Sequence, residues 1–466
     1  MRKGLIGLLL AGALLVSLGV AQGPITITFF LAGGSGGLGA TNGRFAEQFV
    51  QSFNDSQNRV RVEVVNNGSY NNNFNTFRAN LMAGAALPHV VHQFDLGTQL
   101  MIDSAVVVPV QDLIDATPGF NIPLHPALAN YYTVGGKLQS MPFNSSSPLL
   151  YYNKDIFREV GLDPENPPRT WAEVRAACAV VVAAKGPGTC IGWPLVGWFF
   201  EQQLALQGAL YANNNNGRTS RVTEVAFNQA PGVATVEFIA SLFNDGYAIP
   251  SGAGDWDTPD NAFLAGQTAM TLESTSCLRN FTNQSAGKFD LGVAFLPYNG
   301  DATYHGIVPG GGSVWIIGQH PQEEINAAWE FVQFLASFEG QTTFPVNTGY
   351  FPTRTDVQTS PQLTEFYAQN PNFRIALDQL NASIPSFATA GGLFAEFPAA
   401  RNLIIEAEQK VLNSQATAQE ALNEAAAKAN EAISQYNRLV GSADFEAPEV
   451  VGKVNTAEGA VDTQGN

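Results

Sequence analysis

The chain has few of the side chains on which enzyme chemistry usually depends. It contains three cysteines and five histidines among 466 residues, and no two cysteines are spaced as C-x-x-C. Metal and thiol redox sites of that motif are therefore excluded. The metallopeptidase motif H-E-x-x-H is also absent, and the glycine-rich stretch after Phe30 lacks the Lys-Ser/Thr ending of a phosphate-binding P-loop. The composition favours binding over catalysis.

Basic residues are also scarce. The chain has 23 lysines and arginines against 40 aspartates and glutamates, which gives a formal net charge of −17 at pH 7. This charge repels phosphate backbones and anionic lipids, so we expect neither nucleic acid nor a membrane surface as a partner. Charged residues make up only 14% of the chain, which argues against general disorder.

The two ends of the chain differ from the rest. Arg2 and Lys3 precede an apolar run over residues 5–20, and small residues follow it. This pattern predicts a secretory signal peptide that is cleaved after Ala21, and hence a periplasmic protein. A membrane anchor is the alternative, but the run is short for a spanning helix. Residues 441–466 are acidic and small without periodicity, which predicts a disordered tail.

The region after the leader is longer than a single core usually supports, which predicts two lobes. Strand patterns at 25–30, 61–66 and 89–94 alternate with helix patterns at 44–54 and 71–84. The alternation predicts an α/β fold with a parallel sheet. Ligands of such sheets bind outside the carboxyl ends of the strands.

The cysteines and one histidine pair can each be interpreted in two ways. Export would place the cysteines in an oxidising compartment, where Cys178 and Cys190 can form a disulfide and leave Cys277 free. Three buried thiols are the alternative. His89 and His92 have helical spacing, but their neighbours favour a strand, which would point the two rings to opposite faces. We therefore expect no metal site and no cofactor.

Short polar and glycine-rich segments recur next to aromatic residues, as a cleft for a polar ligand requires. The most unusual is PFNSSSPLLYYNKD, in which four short polar residues lie between two prolines. Others read NGSYNNNF, HQFDLGT, TAMTLES, PGGGSVWII, NTGYFPTR and FPAARNLIIEAEQ. Together these segments resemble the periplasmic glycerol-3-phosphate-binding proteins of ABC importers, within the larger class of extracellular solute-binding proteins. The resemblance covers residues from about 25 to 439.

The resemblance implies a two-lobed α/β periplasmic-binding-protein fold of type II, similar to maltose-binding protein. The chain would cross between the lobes three times, near Met141–Pro148, Ile307–Ser313 and Thr348–Pro352. The first lobe would comprise residues 22–143 plus 310–350. The second would comprise residues 144–309 plus 351–440. A monomer is expected.

The resemblance also implies a set of ligand-binding residues that line the cleft from both lobes. They are Tyr70, Asp95, Ser146, Trp198, Ser274, Gly311, Tyr350 and Arg401. In this set Asp95 would take a glycerol hydroxyl, and Arg401 would hold the phosphate because its planar fork can donate two N–H bonds. The alternative for Arg401 is an ion pair on the helix surface with Glu406 or a neighbouring carboxylate.

One departure from the family pattern concerns the ligand. The family carries a W-x-x-W loop, but here Leu195 stands at the first tryptophan position before Trp198. The missing ring would open room, and Tyr70, Trp198 and Asp95 would make a partial cage for a quaternary ammonium. Alternatively, Trp193 turns in to replace the ring. The ligand implied is sn-glycerol 3-phosphate or a glycerophosphodiester such as glycerophosphocholine.

The function implied is that of a non-enzymatic binding protein that delivers its ligand to the membrane permease of an ABC importer. A related binder of oligosaccharides is the first alternative, since aromatic and carboxylate clefts also suit sugars. The second is a secreted hydrolase that uses Asp255 and Asp257 as its carboxylate pair.

Overall fold

A computed structural model of the chain describes residues 23–33 and 39–441. The predicted signal peptide, its cleavage site and residues 442–466 of the predicted tail lie outside these ranges. The strands are β1 (Ile25–Leu31), β2 (Val60–Asn66), β3 (Val90–Phe94), β4 (Val107–Val108), β5 (Thr133–Val134), β6 (Lys137–Leu138), β7 (Met141–Ser146), β8 (Pro148–Asn153), β9 (Ile191–Gly192), β10 (Met270–Ser274), β11 (Leu291–Phe295) and β12 (Gly310–Ile317).

The helices surround these strands. They are α1 (Gly39–Ser56), α2 (Tyr70–Ala83), α3 (Thr98–Asp103), α4 (Val110–Asp115), α5 (Pro126–Tyr132), α6 (Lys154–Val160), α7 (Trp171–Lys185), α8 (Gly197–Leu206), α9 (Asn213–Gly217), α10 (Ala230–Asn244), α11 (Asp257–Leu264), α12 (Leu278–Ser285), α13 (Gln322–Leu335), α14 (Phe338–Thr348), α15 (Thr355–Gln358), α16 (Pro361–Gln369), α17 (Ile375–Asn381), α18 (Phe397–Leu412) and α19 (Ala418–Val440). No helix of the described part of the chain has the length and apolar character needed to span a membrane.

The first sheet has the strand order β2-β1-β3-β12-β4, and β7 also pairs with β12. Its first three strands are parallel, as the alternation of strands and helices predicts. The prediction of a parallel sheet is wrong for the rest, because β12 runs antiparallel to β3, β4 and β7. β12 joins this sheet from a distant part of the sequence, after the chain has formed the second sheet, so local alternation does not predict its direction.

The second sheet has the order β11-β8-β10-β9. β8 is antiparallel to both β10 and β11, and β10 is parallel to β9. β8 is buried on both faces because its run PLLYYN carries leucines and tyrosines at successive positions. We call the first sheet with its helices the first lobe, and the second sheet with its helices the second lobe.

The chain passes between the lobes at three places, and the hydrophobic cores show where. At each place, residues close together in sequence belong to different cores, that of the first lobe and that of the second. The pairs, with the residue of the first lobe named first, are Phe143 and Leu149, Val308 and Ile307, and Tyr350 and Phe351.

A third core lies between the lobes on one side of the molecule. Phe94 and Leu96 at the end of β3 pack in it with Phe397 and Ile404 of α18. α19 covers this core with alanines and Leu422. The contact holds the lobes together next to the cleft.

A disulfide joins Cys178 of α7 to Cys190, with the two Cα atoms 5.1 Å apart. Cys277 is a buried free thiol. The structure thus decides between the two readings of the cysteines in favour of one local disulfide and one free cysteine.

Local side-chain contacts fix several ends of helices and turns. Capping boxes begin α7 and α19 at Thr170 and Thr417. α13 ends at Leu335, and α14 then begins after the N-cap Ser337. The asparagine run before Gly217 is a left-handed turn whose last residue, Asn216, is buried and accepts two backbone N–H bonds.

The disulfide assignment predicts a thiol count. Ellman's reagent should find no reactive thiol in the native protein, because Cys277 is buried. It should find one thiol after denaturation without reductant and three after reduction. A Cys277→Ser variant should show none in the denatured, unreduced chain. Three thiols in the denatured wild type before reduction would contradict the disulfide.

A second prediction concerns Glu408, which is 2% exposed in the third core and whose Oε2 has no hydrogen-bond partner. Burial raises the pKa of Glu408 from 4.5 to about 8. Below pH 4.5 the Glu408 carboxyl is protonated in both the folded and the unfolded protein. Above pH 4.5 the carboxyl of the unfolded chain ionises first, so the free energy of unfolding falls as the pH rises. The fall ends when the pH passes the pKa of Glu408 in the folded protein. Glu408→Gln removes this loss and should raise the free energy of unfolding by roughly 3 kcal/mol near pH 9 and by almost nothing near pH 4.5.

Urea unfolding at the two pH values measures the difference. Glu406→Gln, on the exposed side of the same helix, is the matched control and should change stability little at either pH. A gain for Glu408→Gln that is the same at both pH values would refute the proposed ionisation.

Candidate functional site

The polar segment that follows Pro142 forms β7, which is buried along its whole length. β7 pairs with the glycine run at the start of β12, with Gly310 opposite Ser146 and Gly311 opposite Ser145. A Cβ at Gly310 would lie 2.8 Å from the Trp198 ring and 3.1 Å from Ser146 Oγ. The absent side chain thus lets Trp198 and Ser146 approach each other across the crossing strands.

Gly311 has a different requirement. Its φ of 95° lies in the region that favours glycine, and a Cβ there would lie 1.9 Å from the Asn144 carbonyl oxygen. A larger residue would push β7 and β12 apart at the point where they border the cleft.

A hydrogen-bonded group fills the next part of the cleft. Asn144 donates from Nδ2 to the Tyr70 hydroxyl at 2.8 Å, and its Oδ1 lies 2.8 Å from His92 Nε2. Tyr350 and Ser276 lie beside this group at the same cavity. These five residues border a cavity of about 220 Å³ between the lobes.

The charged part of the cleft is a cluster of three buried side chains, which we call the ionic cluster: Asp95, Glu201 and Arg401. Arg401 Nε donates to Glu201 Oε2 at 3.0 Å, and Nη2 donates to the same oxygen. Arg401 Nη2 also lies 3.5 Å from Asp95 Oδ2. Asp95 follows β3 of the first lobe, whereas Glu201 and Arg401 lie on α8 and α18 of the second, so the ionic cluster spans the cleft.

Burial governs the protonation of this cluster. It raises the pKa of Glu201 to about 7, although the positive charge of Arg401 pulls in the opposite direction. Burial also raises the pKa of Asp95, again opposed by Arg401. Arg401 therefore favours the ionised form of both carboxylates, against the effect of burial.

The aromatic residues next to Trp198 differ from both alternatives that the sequence left open, an open space at Leu195 or a ring supplied by Trp193. Trp193 is 1% exposed and packs in the core of the second lobe, 5.6 Å from Phe238, so it does not replace the missing ring. Leu195 is also buried. Trp256, which the sequence did not single out, lies 6.3 Å from Trp198 and supplies a second indole beside it.

The eight residues predicted for the site do not all lie in one contact group. Tyr70 and Tyr350 border the cavity, and Asp95 and Arg401 belong to the ionic cluster. Ser146 lies on β7 and Gly311 on β12, and the Trp198 ring of α8 lies close to Gly310. Ser274 does not line the cavity itself. Its Oγ accepts the N–H of Ser276, which does line the cavity. Their role in binding a ligand remains a prediction.

Sequence reasoning left five neighbours out of the predicted set: His92, Asn144, Glu201, Trp256 and Ser276. Asn144 lies in the same polar segment as Ser146, and Glu201 lies three residues after Trp198 on α8. That spacing places Glu201 on the same side of the helix as Trp198 and is the one signal that could have indicated it. Nothing local indicates Trp256.

The histidines do not converge on one point. His92 faces Asn144, whereas His89 contacts Glu324 at 2.9 Å and stacks on His320 at 3.8 Å, so the two lie on opposite faces of the strand, as predicted. His89, His320 and Glu324 offer three possible metal ligands. The geometry is poor, because stacked rings cannot both point their in-plane lone pairs at one ion, and His89 Nδ1 already accepts the Thr28 N–H.

Asp255, one of the two carboxylates of the hydrolase alternative, accepts a hydrogen bond at a helix end. Asp255 accepts the N–H of Thr258 at 3.0 Å at the start of α11. Hydrogen bonds from the Thr258 side chain and backbone lower the pKa of Asp255. A general acid needs the opposite shift.

Comparison with known proteins agrees with this architecture. The family model of the bacterial extracellular solute-binding proteins matches residues 48–375. The sn-glycerol-3-phosphate-binding periplasmic protein UgpB of Pectobacterium atrosepticum is 31% identical over 404 residues, which cover 85% of this chain and 89% of that one. UgpB of Salmonella typhimurium is 31% identical over 405 residues, with 85% and 91% covered.

Two solved structures show the fold. UgpB of Mycobacterium tuberculosis in complex with glycerophosphocholine superposes with a TM-score of 0.73 at 22% identity, covering 90% of this chain and all of that one. Maltose-bound MalE3 of T. maritima gives 0.72 at 19%, covering 88% and 100%. The predicted two-lobed fold, similar to maltose-binding protein, is confirmed, and the chain belongs to the bacterial extracellular solute-binding proteins.

Proposed function

We propose that this protein is the periplasmic binding component of an ABC importer. It takes sn-glycerol 3-phosphate or a glycerophosphodiester such as glycerophosphocholine into the cleft and delivers it to the membrane permease as a monomer. The curated relatives that cover most of the chain carry the name of glycerol-3-phosphate-binding proteins, which supports this ligand class.

The proposal rests on the guanidinium of Arg401, in which only two of the three nitrogens donate hydrogen bonds to described residues. Glu201 takes Nε and Nη2, while no oxygen of the described residues accepts a hydrogen bond from Nη1. A guanidinium fixed on one edge by a carboxylate is oriented to receive a phosphate oxygen on another. The hydroxyls of Ser146 and Tyr350 are the neutral donors that would complete the phosphate site.

The rest of the cleft suits a phosphorylated glycerol. Asp95 and the Tyr70–Asn144 pair offer acceptors and donors for glycerol hydroxyls. The net charge of −17 repels anions at long range, so affinity must come from these local donors.

Arg401→Lys tests the assignment of the phosphate to Arg401. The variant keeps a positive charge next to Glu201 and Asp95, so the two buried carboxylates do not lose their counter-charge. Loss of the planar fork should weaken binding of glycerol 3-phosphate and glycerophosphocholine by roughly 30-fold in isothermal titration. Arg374→Lys is the matched control, because Arg374 pairs with Asp378 on an exposed helix, and it should bind as the wild type does. Unchanged affinity in Arg401→Lys would remove the phosphate role.

A sugar is the second candidate ligand, and the neighbouring indoles of Trp198 and Trp256 favour it, since such rings stack on sugar faces. Titration of the same proteins with maltose decides between the two. Under our proposal maltose does not bind. Maltose binding that survives Arg401→Lys would indicate an oligosaccharide importer instead.

We also propose that the ligand leaves the cleft unaltered. Incubation with glycerophosphocholine, followed by proton NMR, should show no free choline. Accumulating choline, abolished by Asp255→Asn, would support the hydrolase alternative.

A further inference from the structure

The buried histidine of β3 begins a short chain of hydrogen bonds at the cavity. His92 is 1% exposed, and the rings of Tyr70 and Phe143 stand edge-on to it, with centroids 5.2 and 5.5 Å away. A Cβ at Gly312 would lie 2.7 Å from His92 Nε2, so the glycine leaves room for the ring. The imidazole is therefore held in one orientation.

The partners of this ring determine which of its nitrogens carries the proton. Burial lowers the pKa of His92 to about 4, so the ring is neutral near neutral pH and has a single N–H. Nε2 lies 2.8 Å from Asn144 Oδ1, whereas Nδ1 has no hydrogen-bond partner among the described residues. A proton on Nδ1 would be a buried donor without an acceptor, so the proton belongs on Nε2.

The proton on Nε2 sets the direction of the hydrogen bonds that follow. Nε2 donates to Asn144 Oδ1, and Asn144 Nδ2 donates to the Tyr70 hydroxyl oxygen at 2.8 Å. The Tyr70 proton then needs an acceptor of its own. His92 Nε2, 3.5 Å away, cannot accept it because that nitrogen already carries a proton. Since Tyr70 borders the cavity, its O–H can donate to a ligand oxygen there.

We propose, on the basis of the function proposed above, that His92 is a positioning residue that makes Tyr70 a hydrogen-bond donor to a hydroxyl oxygen of the bound phosphoglycerol. His92 acts through Asn144 and not by contact with the ligand. If the chain of hydrogen bonds ran in the opposite direction, Tyr70 would accept a hydrogen bond from the ligand instead. The direction therefore decides what Tyr70 recognises, because a hydroxyl oxygen can accept its proton and an ammonium group in the same place cannot.

The position of the His92 proton can be measured in the full chain without any substitution in the protein under test. Nitrogen-15 NMR of histidine-labelled protein near neutral pH should show a protonated Nε2 and a bare Nδ1, with the His92 signals assigned by their loss in His92→Gln. A proton on Nδ1 would reverse the chain of hydrogen bonds and overturn the inference, even if the ligand binds tightly.

Titration of glycerol 3-phosphate into variants of His92 measures the effect on binding. His92→Phe keeps an aromatic ring but offers no N–H to Asn144, so it should bind about tenfold more weakly than the wild type. His92→Gln should recover most of this loss, because its side-chain amide can reach the position of Nε2. His92→Asn is too short to do so and should stay weak, while melting curves confirm folding. Equal affinity in His92→Phe and the wild type, or no recovery in His92→Gln, overturns the inference.

His320→Asn is the matched control. His320 is also a partly buried histidine that stacks on another ring, but it follows the end of β12 that is remote from Gly310. This variant should bind glycerol 3-phosphate as the wild type does.

Two analogues that each lack one glycerol hydroxyl, 3-hydroxypropyl phosphate and 2-hydroxypropyl phosphate, show whether the loss is local. For the analogue without the hydroxyl that Tyr70 contacts, His92→Phe should bind as the wild type does. An equal loss for glycerol 3-phosphate and both analogues would indicate a general disturbance of the cleft and overturn the positioning role alone. If the wild type binds neither glycerol 3-phosphate nor glycerophosphocholine, the proposed function fails and the positioning role fails with it.

Discussion

The architecture of the cleft depends on a guanidinium shared by carboxylates from both lobes. Arg401, Glu201 and Asp95 are nearly removed from water, where isolated charges are costly and only close pairing makes them tolerable. Arg401 of α18 is consequently held in one position by Glu201 of α8 and by Asp95, which follows β3. Under the proposed function, a ligand phosphate that reaches Arg401 would contact both lobes, because Asp95 belongs to the first lobe and Glu201 to the second.

The hinge and the binding surface are built from the same strands. β7 and β12 carry the chain between the lobes while their polar and glycine residues border the cleft. Gly310 and Gly311 allow the Trp198 ring and the Asn144 carbonyl to come close to β12. Movement of one lobe on the other would then change the distance between hydroxyls and Arg401, as hinge closure around a ligand requires.

Much of the fold could be predicted from the sequence because its signals are local. Hydrophobic alternation predicts β1 to β3, and the capping box at Thr170 marks the start of α7. Contacts between residues that are distant in the sequence could not be predicted. The partner of Arg401 is Glu201, 200 positions away, and not Glu406 on its own helix, because burial between helices decides the pairing. Burial of Asn216 and the direction of β12 likewise depend on tertiary contacts that no local pattern contains.

The central claim is that Arg401, anchored by Glu201, supplies the positive charge that receives the ligand. A crystal structure of the protein with a bound glycerophosphodiester tests it most directly. The account predicts the phosphate within hydrogen-bond distance of Arg401 Nη1, with Glu201 still on Nε and Nη2. A phosphate bound elsewhere, with Arg401 engaged only by Asp95 and Glu201, would contradict it.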